Sequence, residues 1–425
     1  MSLSMNLSDY LDALETRNPQ SREQALMTRL PQLVAQAQTS PGWAEILHDV
    51  KAADIRSRSA LAQLPVTRKS DLYGLQRRRL PFGGLNSTPA HQLQRIFMSP
   101  GPIFDPEGRG QDWWRFARPL HAAGLRSGHL IQNCFSYHFT PAAYMVEGAA
   151  AKLGCVIIPA GAGQTEMQVQ AITELRPDAY VGTPSFLKII IEKALELGAD
   201  ISSLQRAVVG AEALPPSLRH WLQQHGVPLV LQLYASADIG NIAYETATDG
   251  VLNPGMVLDE DLILEIVRPG TGDLVAEGEV GEVVISSFNP DYPLLRFGTG
   301  DMSAILPGIS PCGRSNTRIK GWMGRADQTT KVKGMFVHPS QVAEILKRHP
   351  EISKARLVVT GEMANDAMSL HCELNDAASP QNEALKTALV ASIRDITKLR
   401  GDVTFVASGS LANDGKVIDD VRKYE

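Results

Sequence analysis

Cysteine is scarce in this chain, and long apolar runs and blocks of positive charge are missing. The four cysteines are scattered and show no CxxC spacing, which excludes a small disulfide-linked scaffold and fits a reducing compartment. No apolar stretch approaches the roughly 20 residues that a membrane-spanning helix needs. Residues 1–7 lack the basic and apolar regions of a signal peptide. We therefore expect a cytoplasmic protein with no membrane partner.

Charge and size narrow the class further. The formal net charge is −5, and the densest basic run, Arg77–Arg79, is too short for a nucleic-acid patch. We therefore expect no nucleic-acid partner. An apolar content of 44% and a charged content of 20% are ordinary for a globular protein, and 425 residues suggest two or three structural units.

Apolar patterns divide the chain into successive parts. Residues 1–90 are typical of a helical entry, and from 91 to 244 short apolar runs alternate with helical stretches. This alternation predicts an α/β core with a mainly parallel sheet flanked by helices. Residues 245–326 predict a small β-rich sub-unit, which completes a large N-terminal domain, 1–326. The rest, 327–425, predicts a small, mobile α+β lid domain.

Two turns carry the most informative motif. The apolar segment that starts at Tyr292 delivers Asp301 at a tight Thr-Gly turn, and Gly324–Asp327 then offers an arginine and a second aspartate. A carboxylate on a rigid turn can accept both hydroxyl protons of a ribose, and an arginine grips a phosphate bidentately. Either motif alone is often a plain turn. Their order in one chain points to an enzyme that handles a nucleotide.

Three further patches follow strand-like segments, and a lysine lies near the C-terminus. Because ligands of open α/β sheets bind outside the carboxyl ends of the strands, we expect these patches to line one crevice. In chain order, the three patches and the lysine segment are Pro184–Phe186, Gly210–Glu212, Tyr234–Asp238 and Gly415–Lys416.

This order resembles the adenylate-forming (acyl-CoA synthetase) superfamily and, within it, the phenylacetate–CoA ligase family. The resemblance covers roughly residues 96–423, and its most specific part is GRADQTTKVKGMFVHPSQV, residues 324–342. In the family a carboxylate attacks the α-phosphate of ATP to give an acyl-adenylate. The C-terminal domain then rotates, and coenzyme A attacks the acyl carbon. The resemblance therefore implies ATP/AMP, Mg²⁺ and coenzyme A as cofactors and a small-molecule carboxylic acid as substrate.

The resemblance also assigns roles to single residues. Tyr234 would pack on adenine, and Asp238 would hold Mg²⁺. Asp301 would bind the ribose hydroxyls, with Arg325 near the ribose and phosphate. The remaining roles are the border of the adenine pocket (Gly210, Ala211 and Glu212), a surviving phosphate-loop serine (Ser99), the hinge (Asp327), the adenylating lysine (Lys416) and the pantetheine path (Gly334).

Each of these residues also has an ordinary structural interpretation. Tyr234 could be a core aromatic side chain, Asp238 a helix cap, and Glu212 the cap of the next helix. Lys416 follows an obvious turn, where a lysine is usually solvated. Its retention nevertheless favours catalysis, because the two anionic substrates repel each other and a lysine on a mobile domain can neutralise them in one state only.

The phosphate loop departs from the family pattern. The family has a Ser/Thr/Gly-rich run that ends in Gly-Lys, whereas residues 98–109 read MSPGPIFDPEGR. Its three prolines remove backbone donors, and Asp105 and Glu107 add negative charge where phosphates would lie. Ala237 also stands where relatives usually carry a Thr or Ser that touches the α-phosphate.

Three functions stay open on this sequence. The first is an active ATP-dependent carboxylate–CoA ligase, which we expect. The second is a non-catalytic AMP-binding sensor or scaffold. The third is an adenylating enzyme that passes the acyl group to an acceptor other than coenzyme A.

The resemblance places the acid pocket beside Phe135, Tyr137 and His138. Aromatic walls suit an aryl or arylacetic acid, although core packing explains these side chains equally well. We find no basic residue for a second acid group, so we expect a mono-acid.

Zinc and quaternary structure complete the expectations. Cys312 resembles a cysteine position of the family, but no Cys or His partner lies near it in the sequence, so we expect no zinc. Helical N-terminal segments in such chains often pack between subunits, which suggests a homodimer.

Overall fold

The computed structural model describes residues 9–99, 102–326, 328, 330–362, 365–375, 383–411 and 417–422. The chain divides into a first unit, Met1–Leu214 with Arg219–Met323, and a second unit, Pro215–Leu218 with Gly324–Glu425. The boundary predicted at residue 327 lies close to the start of the second unit's main segment. Across the described ranges, no helix is long and apolar enough to cross a membrane.

One long helix and several short ones open the first unit. Asn18 caps α1 (Pro19–Ala37) by accepting two backbone N–H bonds, and the proline takes a first-turn position that needs no donor. The apolar face predicted for α1 is buried, with Leu30 and Val34 fully enclosed. The elements that follow are α2 (Pro41–Ile46), α3 (Arg58–Leu61), β1 (Thr67–Arg68) and α4 (Leu72–Arg78).

A hairpin and a strand–helix alternation follow. The two hairpin strands are β2 (Arg95–Ser99) and β3 (Ile103–Glu107). The alternation runs through α5 (Ala117–Ala122), β4 (Leu130–Asn133), α6 (Ala142–Leu153), β5 (Val156–Ile158), α7 (Thr165–Leu175), β6 (Ala179–Gly182), α8 (Pro184–Leu197), β7 (Arg206–Val209), α9 (Pro216–Gln224) and β8 (Leu229–Ser236).

Strands dominate the last part of the first unit. They are β9 (Gly240–Tyr244), β10 (Ala247–Thr248), β11 (Val251–Leu252), β12 (Met256–Leu258), β13 (Leu262–Val267), β14 (Gly281–Ser287), β15 (Leu294–Ser303), β16 (Ile305–Leu306) and β17 (Arg318–Ile319).

These strands are divided between two larger sheets. The central sheet has nine strands in the order β16-β17-β12-β9-β8-β7-β6-β4-β5. Its strands from β4 to β8 pair in parallel, and β9 pairs antiparallel with β8. The second sheet has the order β1-β15-β14-β13. The predicted α/β class is confirmed, and the strands of residues 245–326 contribute to both sheets.

The buried guanidinium of Arg296 links β15 to β13 and to the segment that follows α3. Arg296 Nε donates to Glu265 Oε2 at 3.0 Å, and both side chains are almost fully buried. The same guanidinium donates to the carbonyl oxygens of Ala62 and Leu64 at 2.7 and 2.6 Å. These contacts, together with the parallel pairing of β1 with β15, hold the turn after β1 beside the strand that carries Asp301.

The second unit has its own sheet and core. Its elements are β18 (Thr330–Val332), β19 (Met335–Val337), α10 (Pro339–Arg348), β20 (Ile352–Glu362), β21 (Asn365–Leu374), α11 (Glu383–Thr397), β22 (Asp402–Val406) and β23 (Ile418–Asp420). The sheet order is β22-β21-β20-β23, and Leu389 and Ile393 of α11 are fully buried in its core. This is an α+β arrangement, as the sequence predicts.

Candidate active site

Two of the predicted patches contact each other at the carboxyl ends of β6 and β7. Ser185 Oγ, in the first turn of α8, donates to Glu212 Oε2 at 2.6 Å. Gln232 Nε2 of β8 donates to the carbonyl oxygen of Glu212 at 3.1 Å. Glu212 therefore ties the ends of three neighbouring parallel strands together.

The backbone before Glu212 is tightly constrained. A Cβ atom at Gly210 would lie 2.8 Å from Leu233 Cδ1 and 3.2 Å from the Leu233 carbonyl oxygen, so a larger residue there would require Leu233 to move. Ala211 has a φ of +66°, a left-handed conformation that is unusual for a residue other than glycine. The chain accepts this strain at an exposed turn along the sheet edge.

Two side-chain donors among the described residues contact the carboxylate of Asp301. Tyr234 Oη donates to Asp301 Oδ2 at 2.8 Å, and Trp322 Nε1 donates to Asp301 Oδ1 at 3.1 Å. The backbone N–H of Asp301 donates to Thr299 Oγ1 at 3.1 Å. One donor on each carboxyl oxygen fixes the plane and direction of the carboxylate, as a rigid acceptor requires. Strands β8 and β15 thus bring together Tyr234 and Asp301, which lie 67 positions apart in the chain.

Asp238 lies just after β8 and pairs with a lysine. Lys69, in the turn that follows β1, donates from Nζ to Asp238 Oδ2. The Asp238 side chain is fully buried, and the Lys69 side chain is about a quarter exposed, at 26%. Asp238 Oδ1 has no hydrogen-bond partner within the described residues. The predicted metal ligand therefore has one oxygen paired with an ammonium and one without a donor.

Asp105 of β3 adds a second carboxyl group to this region. Its side chain is 1% exposed, and within the described residues neither oxygen has a partner at full hydrogen-bond geometry, although the hydroxyl and backbone N–H of Ser99 lie close enough to stabilise the carboxylate. Burial and the charge of Asp238 raise the pKa of Asp105 to about 8, while Lys69 and the nearby Ser99 act in the opposite direction. Asp105 is therefore mostly protonated at neutral pH.

The acidic side chains of the hairpin bring less negative charge to the phosphate region than the sequence suggests. Glu107 is 7% exposed and accepts from Arg95 Nη1 at 2.9 Å. Asp105 is enclosed and largely neutral. Ser99 is buried too, with its hydroxyl donating to the Ile103 carbonyl oxygen at 3.4 Å. The expected repulsion of phosphates by two free carboxylates is corrected accordingly, because one carboxylate is paired and the other is protonated.

The residues predicted for the acid pocket lie in different environments. Phe135 is 5% exposed and packs in the hydrophobic core. Tyr137 is half-buried; its hydroxyl accepts from Asn133 Nδ2 at 3.0 Å, and its ring lies edge-on to Tyr144. Burial and the neighbouring Glu147 raise the pKa of Tyr137. His138 is exposed. Of the three residues predicted for the acid pocket, Tyr137 is thus the one that is half-buried.

Two predicted site residues belong to the described part of the second unit. Arg325 is half-buried near the start of its main segment. Gly334 forms the turn between β18 and β19 with a φ of +82°, and no atom of the described residues lies within 4 Å of a Cβ atom built there. The hinge residue Asp327 and the lysine Lys416 lie outside the described residues.

Cys312 lies in a polar cluster of the first unit. Its Sγ is 3.2 Å from Ser310 Oγ, 3.4 Å from Thr246 Oγ1 and 3.5 Å from Arg314 Nη1. Burial opposes ionisation, but these hydrogen bonds and the positive charge of Arg314 hold the pKa of the thiol below its usual value. Over the ranges that the structure describes, no group of three or more His, Cys, Asp or Glu side chains is arranged to hold a metal ion.

Sequence reasoning missed Lys69 and Trp322 and misjudged Asp105. Lys69 and Asp238 lie 169 positions apart, and nothing local to either residue indicates their pairing. Trp322 stands two residues before the Gly-Arg turn, so its indole N–H could have been predicted as a donor to Asp301. Asp105 sits on a β-hairpin whose burial does not alternate, so its inward position could not be inferred from period-two patterning.

Known proteins resemble the chain in both parts. The model of the AMP-binding enzyme family matches residues 115–289, and the model of the AMP-binding enzyme C-terminal domain matches residues 334–421. The phenylacetate–coenzyme A ligase of Thermus thermophilus is 29% identical over 382 residues, which is 86% of this chain and 84% of that protein. That of Escherichia coli is 29% identical over 378 residues, 84% of each chain.

A solved structure agrees in fold. A crystal structure of 2-hydroxyisobutyryl-CoA ligase, in complex with 2-HIB-AMP and CoA, superimposes with a TM-score of 0.82 at 22% identity, over 98% of this chain and 93% of that one. This likeness concerns the fold alone. The two family models and the two relatives show that the chain belongs to the adenylate-forming AMP-binding enzymes and that, among them, it resembles the phenylacetate–CoA ligases.

Proposed function

We propose that this protein is an ATP-dependent carboxylate–CoA ligase that works through an acyl-adenylate and acts on an aryl or arylacetic mono-acid. Family membership supports the reaction class. Relatives named phenylacetate–coenzyme A ligase, which cover most of both chains, favour an acid of this kind. The site geometry supplies the physical argument for where the nucleotide binds.

The observation that carries the proposal is the orientation of Asp301 by Tyr234 and Trp322. A ribose diol presents two hydroxyl protons, and a carboxylate with a fixed plane accepts both in a bidentate contact. The donors on both sides of Asp301 reduce the entropy lost when the sugar binds. The adenine would then lie along β8 toward Gly210–Glu212, in the crevice outside the strand ends.

The chemistry of Asp238 suits Mg²⁺. A buried carboxylate with one oxygen lacking a donor among the described residues is a ligand for a hard cation. When bound, Mg²⁺ would offset phosphate charge during attack by the substrate carboxylate. Lys69 already contributes a positive charge at this place, whereas the altered phosphate loop has no lysine. We therefore propose that Asp238 binds the metal ion and that Lys69 offsets part of the phosphate charge.

The remaining roles rest on the family resemblance. Lys416 would approach the α-phosphate during adenylation, and Arg325 would lie near the ribose and phosphate. After rotation at the hinge, Asp327, the glycine turn at Gly334 would border the pantetheine arm of coenzyme A. A glycine without neighbours within 4 Å of its missing Cβ leaves room for such an arm.

The half-buried Tyr137 favours an aromatic substrate. Its hydroxyl is engaged by Asn133, so the ring edge and face rather than the hydroxyl are left for the acid. Tyr144 lies edge-on to this ring at 5.4 Å between centroids, an arrangement into which a third ring can pack. The aromatic pair therefore supports an aryl or arylacetic acid over a short aliphatic one.

Pyrophosphate release tests the proposal. Purified protein is incubated with ATP, Mg²⁺ and a panel of aryl, arylacetic and short-chain acids, with and without coenzyme A. We expect release with at least one aryl or arylacetic acid, and a thioester when coenzyme A is present. Release without any thioester would favour an enzyme with another acyl acceptor.

The proline-rich phosphate loop favours one alternative, a non-catalytic AMP-binding sensor or scaffold. Pro100, Pro102 and Pro106 have no backbone N–H to offer to phosphates. A sensor would bind AMP and release no pyrophosphate with any acid. The same panel therefore separates the two functions.

A further inference from the structure

Three ionisable side chains from distant parts of the first unit meet at the altered phosphate loop. Asp105 comes from β3, Asp238 from the turn after β8, and Lys69 from the turn after β1. Lys69 Nζ donates to Asp238 Oδ2, and Asp105 lies within electrostatic range of both other groups. Burial and the charges of Asp238 and Asp105 raise the pKa of the Tyr292 phenol.

Three carboxyl oxygens in this cluster have no donor. Neither oxygen of Asp105 nor Oδ1 of Asp238 makes a hydrogen bond within the described ranges, although the two residues are only 1% and 3% exposed. Buried polar atoms without partners are costly and rare in folded proteins. Among the buried atoms without partners, three carboxyl oxygens gather in this one cluster, and this indicates a missing positively charged ligand.

The composition of the cluster selects a hard cation. Its candidate ligand atoms are carboxyl oxygens of Asp105 and Asp238. Mg²⁺ and Mn²⁺ are commonly held by one or two carboxylates, with water and substrate phosphates completing the shell. Lys69 balances the charge of Asp238 alone, whereas a divalent cation that displaces the proton of Asp105 balances both carboxylates.

We propose that Asp105 and Asp238 together hold one divalent cation. The β2–β3 hairpin, which has no phosphate-binding lysine, then contributes a metal-ligating carboxylate to the site. This inference rests on the proposed function, in which Asp238 alone was assigned to the metal. Lys69 then competes with the cation for Oδ2 of Asp238. Because its side chain is about a quarter exposed, at 26%, it can withdraw toward solvent.

Mn²⁺ binding to the full-length protein tests the proposal directly. The protein is stripped with EDTA, and Mn²⁺ alone is titrated while free Mn²⁺ is followed by electron paramagnetic resonance. We expect one bound Mn²⁺ per chain, and a loss of affinity of roughly tenfold or more in both Asp105→Asn and Asp238→Asn. Glu107→Gln is the matched control, because this carboxylate of the same strand already pairs with Arg95.

A second variant keeps the test decisive if Asp105→Asn folds poorly. Lys69→Met removes the competing ammonium and should tighten Mn²⁺ binding, by roughly fivefold or more if the competition is as direct as the contact indicates. Mn²⁺ should also raise the melting temperature of the wild type and of Glu107→Gln, and should not raise that of either Asn variant. Circular dichroism verifies that each variant is folded.

The outcomes separate this inference from the proposed function. No Mn²⁺ bound by the wild type, or unchanged affinity in Asp105→Asn, overturns the two-carboxylate site even if pyrophosphate is released. Binding that depends on Asp105, without pyrophosphate release for any acid, supports the cation site and rejects the ligase.

Discussion

Replacing Tyr234 by phenylalanine isolates the contact that orients Asp301. The substitution keeps the ring and removes the hydroxyl that donates to Asp301 Oδ2 at 2.8 Å. A hydrogen bond to a charged group contributes about 1.5–3 kcal/mol, and loss of the orienting part should cost AMP roughly 1–2 kcal/mol, or about 5- to 30-fold in Kd.

The assay compares two nucleotides by isothermal titration calorimetry. AMP carries the ribose diol, and 2′,3′-dideoxy-AMP lacks it. If Tyr234 acts through Asp301 on the diol, Tyr234→Phe weakens AMP and leaves the dideoxy analogue nearly unchanged. Tyr244→Phe is the matched control, since this buried hydroxyl on the neighbouring strand also donates to a carboxylate, Glu15 Oε1, at 3.2 Å.

Two results would refute the reasoning. Equal weakening of both nucleotides would mean that the tyrosine hydroxyl supports the pocket in general and not the diol contact. An unchanged affinity for AMP in Tyr234→Phe would mean that Asp301 is oriented without it, or does not meet the ribose at all.

Three further predictions concern stability and the adenylating step. Burial and the nearby charge of Arg126 lower the pKa of His121 from 6.5 to about 4, so the unfolded chain takes up a proton that the folded chain refuses. The free energy of unfolding should therefore fall by up to about 3 kcal/mol as the pH drops from about 6.5 to 4. The melting temperatures of the wild type and of His121→Gln, measured across this range, should converge or cross as the pH falls. Parallel curves would contradict the assignment. Arg296→Met should destabilise the first unit by about 3–5 kcal/mol, because the substitution leaves the buried carboxylate of Glu265 without its partner. Urea unfolding followed by fluorescence measures this change. A loss of stability below about 1 kcal/mol would contradict the prediction. Lys416→Ala should abolish adenylation and spare thioester formation from a supplied acyl-adenylate, and equal loss of both half-reactions would remove the role given to this lysine.

The sequence predicts the elements and the strand ends because both depend on local patterns. Alternating apolar runs and helical stretches indicate a parallel sheet, and the residues after β6, β7 and β8 must then share one edge. Ser185 and Glu212 contact each other at that edge as this logic requires.

Long-range partners are not encoded in any local pattern. Strand β1 has two residues and pairs in parallel with β15, more than 200 positions later; nothing in Thr67–Arg68 indicates that partner. The same pairing brings Lys69 to Asp238 and so supplies a cation that the phosphate loop lacks. Asp105 appears in the sequence as a charge facing phosphates, whereas burial in the fold leaves it mostly neutral.

A crystal structure with bound AMP would test the central claim most directly. The account predicts that the ribose hydroxyl oxygens lie about 2.5–3.0 Å from the carboxylate oxygens of Asp301, with Tyr234 and Trp322 still donating to that carboxylate. A nucleoside bound in another crevice, or a ribose without contact to Asp301, would contradict it.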